Sequence, residues 1–189
     1  YTEEGKEQVW FINETVDELA PVLVSKSLEV VDGKVVLTVH ATDEYLYSLE
    51  IDHNLSLPEF TVYASEQDPY GEQEEAFAAL GVTVTYLDGV WTITFDGDAL
   101  DAIKALNKFN IHMVIEDRAG NAFGSMSPTS PENTVSINIY EVKFINDGEE
   151  TSFRIFENHK VSAIDAGTKE GYTFLGWTLN DVAYEFDAV

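Results

Sequence analysis

Three Asp-Gly pairs, Asp32-Gly33, Asp88-Gly89 and Asp147-Gly148, each stand between two runs in which apolar and polar residues alternate. A two-residue hairpin turn of type I′ needs two consecutive residues at positive φ, and Asp-Gly is one of the few pairs that accept this at little cost. Alternation with period two puts side chains of opposite character on opposite faces of an extended chain. Each pair therefore predicts a β-hairpin: 21–31 with 34–41, 82–87 with 90–95, and the strand and turn of 141–148 with 151–156. Further strands are expected over 109–116, rich in Ile, Met and Val, and over 134–140. Helical pieces are expected at 71–80 and at 98–106, where Leu100, Ile103 and Leu106 share one face and Asp98 is placed to cap the first turn. The order of strands between Asp52 and Asp98 stays open. Such a chain is expected to be mainly β, an antiparallel sandwich with short helical insertions and a smaller β unit after it.

With 189 residues and 44% hydrophobic content the chain can bury one or two cores. Its composition shifts near 126–133, where two prolines and small polar residues interrupt the periodic segments. That stretch reads as a loop leading into strand 134–140, with the second unit following almost without a linker, a stiff tandem. The expected division is a strand or the tail of a preceding unit over 1–15, with 9–12 as its strand, then a sandwich over 16–140 and a small unit over 141–189. No run of eighteen apolar residues and no leader pattern is present. A chain opening on Tyr1 reads as a fragment or a mature piece of something larger.

Acidic residues number 35 against 10 basic, a formal charge of −25, of which −19 falls on 1–140 and −6 on 141–189. Such a field repels phosphate backbones and anionic membranes, so neither nucleic acid nor membrane insertion is expected, and solubility is its simplest consequence. Zero cysteines remove disulfides, thiolate metal sites and cysteine nucleophiles together.

The most specific stretch is 169–177, KEGYTFLGW, followed by AYEFD at 183–187. Tyr172 and Phe174 alternate with Thr173 and Leu175 as in a strand, and Gly171 and Gly176 bracket them, as glycines do where a ring packs on bare backbone. In a unit of roughly fifty residues a few aromatics must supply much of the core, which is the role expected of Tyr172 and Trp177. With Tyr184 and Phe186, this pattern resembles the internalin-type B-repeat, or Listeria-Bacteroides repeat. The resemblance begins at about Tyr140 and implies a small β-grasp-like module of bacterial surface and secreted proteins. The chain departs from the family in having Ala166-Gly167-Thr168 where a proline is usual, and in stopping at Asp187-Ala-Val189 before the closing strand. Without that strand an open edge is expected, with fraying or pairing to a neighbour.

In the first unit, 17–21 (DELAP), 41–44 (ATDE) and 116–121 (EDRAGN) resemble segments of bacterial immunoglobulin-like or fibronectin-III-like domains strung along surface proteins. The resemblance covers roughly 16–140 and implies an immunoglobulin-like sandwich. In such a sandwich, lead-in segments and hairpin turns can converge at one end, where Asp17, Asp43, Glu44, Asp117 and Asn121 would offer oxygen ligands to calcium, the one cofactor considered. The plainer reading is that Asp117 and Asn121 form turns by bonding their own backbone.

No set of nucleophile, base and orienter is visible. The four histidines (His40, His53, His112 and His159) are scattered without metal-ligand spacing, and no nucleophile elbow or phosphate loop occurs. His40 and His112 read as strand-face residues, and with so many acids a carboxylate pair carries no information. No catalytic residue is expected. Three functions remain: a stalk, spacer or adhesion module at the cell surface or cell wall, partnered by other domains of the same larger chain; a binding module for glycan or host protein using Trp10, Tyr45, Tyr47 or Tyr70; and an accessory region of a secreted cell-envelope protease. Tyr45 and Tyr47 share a strand face, with core packing the expected role. Asn13 and Asn54 carry Asn-x-Ser/Thr patterns that matter only in a eukaryotic source.

Overall fold

The computed structural model describes residues 17–57, 59–124 and 130–186. The expected strand 9–12, Trp10, the Asn13 pattern, residues 126–129 of the expected loop and the last three residues lie outside the described residues. In chain order the elements are β1 (Val22–Val31), β2 (Lys34–Thr42), β3 (Leu46–His53), β4 (Phe60–Tyr63), α1 (Glu74–Leu80), β5 (Val82–Leu87), β6 (Val90–Phe95) and α2 (Gly97–Lys104). They continue as β7 (Lys108–Asp117), β8 (Ala122–Phe123), β9 (Thr134–Asn146), β10 (Glu149–Phe156), β11 (Thr178–Leu179) and β12 (Val182–Ala183).

All three Asp-Gly hairpins form. The aspartates sit at φ 50°, 48° and 54° and the glycines at 79°, 81° and 86°, the left-handed pair that a type I′ turn requires. Sheet order is β1-β2-β6-β5 in one layer and β10-β9-β7-β3-β4 in the other, with β8 beside β7, and every pairing is antiparallel. Leaving β10 aside, these are the two facing layers of an immunoglobulin-type sandwich, with an added strand at the β4 edge. The span left open by sequence is filled by β4, α1, β5 and β6, so the strand order there is settled by pairing of β6 with β2 and of β4 with β3.

Alternation decides what faces inward. Val35, Leu37, Val39 and Ala41 of β2 point across the sandwich at Phe109, Ile111, Met113 and Ile115 of β7, all buried. Trp91 is fully buried in β6 and its Nε1 donates to the Tyr63 carbonyl at 3.1 Å, which satisfies the only polar atom it brings into the core. α2 closes the bottom of the core with Ala99, Leu100 and Ile103. Its N-cap is Asp96, whose side chain accepts from Gly97 N at 2.8 Å, so Asp98 lies in the first turn and is not the cap expected from sequence. One layer is tied to the other at the edge by Lys26, whose Nζ donates to the Pro131 carbonyl at 2.9 Å and to that of Glu132.

The strands expected at 134–140 and 141–148 are one 13-residue strand, β9. Beyond β10 the chain is irregular until the small β11–β12 hairpin. KEGYTFLGW forms no strand, against expectation. A strand persists where a neighbour takes its backbone groups, and no described strand runs beside 172–176. Packing there centres on Phe144, which is buried and meets Trp177 at 4.9 Å, Phe153 at 5.7 Å and Phe186 at 5.9 Å between ring centres. Phe174 meets Trp177 at 5.3 Å and Tyr184 meets Phe186 at 4.9 Å. Tyr172 is not in this cluster. It is 74% exposed, with Lys169 Nζ 4.9 Å from its ring centre, and Lys169 in turn pairs with Asp147 at 2.6 Å.

Candidate functional site

β7 ends at Asp117, and the chain turns back through 118–121 into β8. The turn is built by Asp117 itself: its Oδ1 accepts from the backbone N–H of Ala119 at 2.8 Å and of Asn121 at 2.9 Å, and its own N–H donates to the Asn121 carbonyl at 3.1 Å. Asp117 is only 2% exposed. Burial alone would push its carboxyl up. The Asn121 side-chain amide and the backbone N–H groups of Asn121, Ala119 and Gly120 outweigh burial and hold the carboxyl below the usual carboxylate range. Asp117 thus has the turn-forming role expected of it, whereas Asn121 enters the turn through its backbone, its side chain donating instead to Asp117 Oδ2 and the Asp17 carbonyl.

Two more aspartates reach the same place. Asp17 lies in the segment before β1, and its Oδ1 accepts from Leu19 N at 3.1 Å; Asp43 lies between β2 and β3, and its Oδ1 accepts from Tyr45 N at 2.7 Å. Carboxylate oxygens of Asp17, Asp43 and Asp117 lie within 4.8 Å of one another. Three residues from positions 17, 43 and 117 meet because the lead-in segment, the β2–β3 turn and the β7–β8 turn share one end of the sandwich.

Asn121 joins them in a different capacity from the one expected. Its Nδ2 donates to Asp117 Oδ2 at 2.8 Å and to the Asp17 carbonyl at 2.9 Å, so it fastens the lead-in segment to the turn through its donor end. Glu44 is not one of the three carboxylates that meet, and its Oε1 accepts from the Tyr45 hydroxyl at 2.9 Å. One oxygen of each aspartate is engaged by backbone, and among the described residues no donor takes the second oxygens of Asp17 and Asp43. An all-oxygen, carboxylate-rich set suits a hard cation such as Ca²⁺, which takes six to eight oxygens. Three carboxylates supply part of that number.

Around this end, Tyr45 and Tyr47 are exposed at 47% and 42%, not core. Tyr47 packs on Tyr63 with centres 5.6 Å apart, and the Arg118 guanidinium lies 5.8 Å from the Tyr47 ring centre. Strict alternation would put Tyr47 on the inner face with Leu49 and Ile51, but the register of β3 against β7 shifts between Leu46 and Ser48, and this bulge leaves Tyr47 outside, while Tyr45 precedes the strand. Tyr70 differs: it is half-buried, packs on Phe77 at 5.6 Å and accepts from Val84 N at 2.9 Å through its hydroxyl. Asn54 is tied to β7 by its side chain, donating to the Lys108 carbonyl at 2.8 Å and accepting from Asn110 N at 2.9 Å. His112 lies on β7 with Nδ1 2.9 Å from the Thr134 hydroxyl, a strand-face residue as expected.

The opposite end of β7 is where the chain leaves the sandwich. β9 runs antiparallel to β7 from Thr134 opposite His112 to Asn138 opposite Lys108, then continues past the start of β7. Nine residue steps of extended chain, about 30 Å, separate Lys108 from Asp117. Beyond Ile139 the edge of β9 that faces away from β10 has no strand partner among the described residues. The aromatic cluster around Phe144 lies in this second half.

Residues 140–188 match the family model of the Listeria-Bacteroides repeat domain. That repeat is found in bacterial surface proteins and is not an enzyme family. No curated protein and no solved structure shows significant similarity to the chain. Among the described residues no helix is long and apolar enough to cross a membrane.

Proposed function

We propose that this chain is a non-catalytic, extracellular part of a bacterial cell-surface or secreted protein, an immunoglobulin-like unit over 16–140 continued by a B-repeat over 141–189, which acts as a stalk or spacer and holds other domains of the same chain apart. The observation that carries the reading is the match of 140–188 to a repeat domain of surface proteins. The path of the chain supports it. The lead-in segment lies at one end of β7 and β9 departs past the other, the arrangement that strings units head to tail instead of folding them back. The acidic surface suits a module that must stay soluble at high local density. Protease treatment of intact source cells tests the reading: loss of the chain's signal while cytoplasmic proteins survive is expected, and a signal that resists until lysis would overturn it.

Calcium at Asp17, Asp43 and Asp117 is a second element of this proposal, favoured by the approach of their carboxylates to within 4.8 Å. There a cation would relieve the repulsion of three like charges and stiffen the lead-in segment against the sandwich. Titration calorimetry and melting in millimolar calcium decide it: no heat and no shift would dismiss the ion. Adhesion through a glycan or host protein is favoured by the exposed Tyr45 and Tyr47 beside Arg118. Alanine at both tyrosines should then abolish retention on the ligand without lowering stability. An accessory role beside a cell-envelope protease rests on the module types alone and is decided by the neighbouring sequence of the parent chain.

A further inference from the structure

The matched family boundary at residue 140 falls inside β9, and the structure treats that point as the middle of a joint. Thr134 to Asn138 pair with β7, and from Ile139 onward β9 pairs with β10, Ile139 lying opposite Phe156. The ladder crosses the change of partner without a break: Ile139 N donates to the Asn107 carbonyl and Glu157 N to the Asn138 carbonyl, both at 2.9 Å. Phe156 and Ile139 are buried and belong to the same apolar cluster as Trp91 and Phe109 of the sandwich. The first hairpin of the repeat thus contributes to the core of the unit before it.

Arg154, on the same hairpin, reaches the end of α2. Its Nε donates to the Lys104 carbonyl at 3.0 Å, and its Nη2 donates to the Leu106 carbonyl and, at 3.1 Å, to Asn107 Oδ1. These carbonyls belong to the last turn of α2 and the loop after it, where no helical N–H follows to take them. A cation is favoured at this end of a helix, and the planar fork of Arg serves two carbonyls at once where the single ammonium of Lys meets them less well.

We propose that β9, Phe156 and Arg154 form a splice that locks the repeat hairpin to the sandwich, so that the end of α2, the start of β7 and the end of β10 open and close as one unit. The alternative is a repeat that hangs on the sandwich as a separate bead. Arg154 is a positioning residue in this joint. The inference rests on the geometry of the joint and stands apart from the surface-module reading.

Native-state hydrogen exchange on the full chain tests it, with Arg154→Ala and Arg154→Lys beside the parent. In the parent, the amides of Ala105, Leu106, Ile139 and Glu157 are expected to share one opening free energy and one denaturant dependence. In Arg154→Ala their exchange should quicken together, on the order of 10-fold or more for the loss of charged hydrogen bonds, while the β5 and β6 amides hold. Arg154→Lys should recover part of the protection. Faster exchange confined to β10, or spread evenly over every amide, would overturn the splice. If Arg154→Ala does not fold, the parent decides alone: unequal opening energies at Leu106 and Glu157 would reject the proposal.

Discussion

The sandwich and the stretch after β10 solve the same problem with unequal means. In the sandwich, two facing layers bury whole rows of side chains, and Trp91, Phe95 and Phe109 are fully out of water. After β10, partly exposed aromatics gather on one buried phenylalanine of β9, Phe144, while Tyr172 and Leu175 stand in solvent. Two layers shield each other. A single hairpin with an irregular strap over it has only one face to cover, and aromatic side chains are then used for their area more than for full burial. The contrast teaches that the second region draws on the first for its stability, through Ile139 and Phe156.

The largest effect is expected from Trp91→Ala, which empties the centre of the sandwich and orphans the Tyr63 carbonyl: about 3–5 kcal/mol of lost stability in urea denaturation. Phe144→Ala sharpens the contrast, because it removes the buried ring on which the aromatics after β10 gather. A cost of about 2–3 kcal/mol is expected, read as loss of the Trp177 environment and faster exchange over 157–186, with β2 and β6 protected as before. Equal loss of protection in β2 would erase the distinction between the regions. Gly81→Ala is next. Gly81 caps α1 at φ 75°, and an added Cβ would sit 2.5 Å from the Asp96 carbonyl oxygen, so the β5 end must shift and about 1–3 kcal/mol is expected to be lost, measured by melting.

A smaller effect follows from Asp117. Its native carboxyl lies below the usual range, so the folded chain holds the proton less readily than the unfolded chain, and the resulting stability is complete above the unfolded value, about 3.9, and fades as pH falls through the lower native one. The parent should therefore lose stability relative to Asp117→Asn as pH drops below about 4, with their difference constant from neutral down to about pH 5. A difference that does not change with pH would show that the turn needs the shape of the side chain and not its charge. The smallest effect is expected for Tyr172→Ala, within about 0.5 kcal/mol, because the ring is exposed under Lys169. A much larger loss would mean that the KEGYTFLGW stretch buries this ring in solution.

The candidate site was legible in a particular sense. Asp17, Asp43 and Asp117 were drawn together by resemblance to a sandwich whose turns converge, and the fold does bring their carboxylates together. The role of Asn121 was not legible, since donor and ligand ends of an amide are told apart only by what stands near them. Tyr45 and Tyr47 failed for a related reason. Period two places them with Leu49 and Ile51 on the inner face, and the bulge between Leu46 and Ser48 that turns Tyr47 outward is set by pairing with β7. The cap at Asp96 lay two residues from the one expected, within the ordinary uncertainty of helix ends.

By itself the sequence determined the three hairpins, the mainly β class and the repeat pattern of the second region, because turn chemistry and alternation act over two to ten residues and need no distant partner. Tertiary structure decided the pairing of β3 with β7 and β4, the outward turn of Tyr45 and Tyr47, the failure of 172–176 to form a strand, and the reach of Arg154 to the end of α2. Each of those depends on which backbone lies alongside, and unpaired backbone groups and exposed apolar area are settled only when the whole chain has closed.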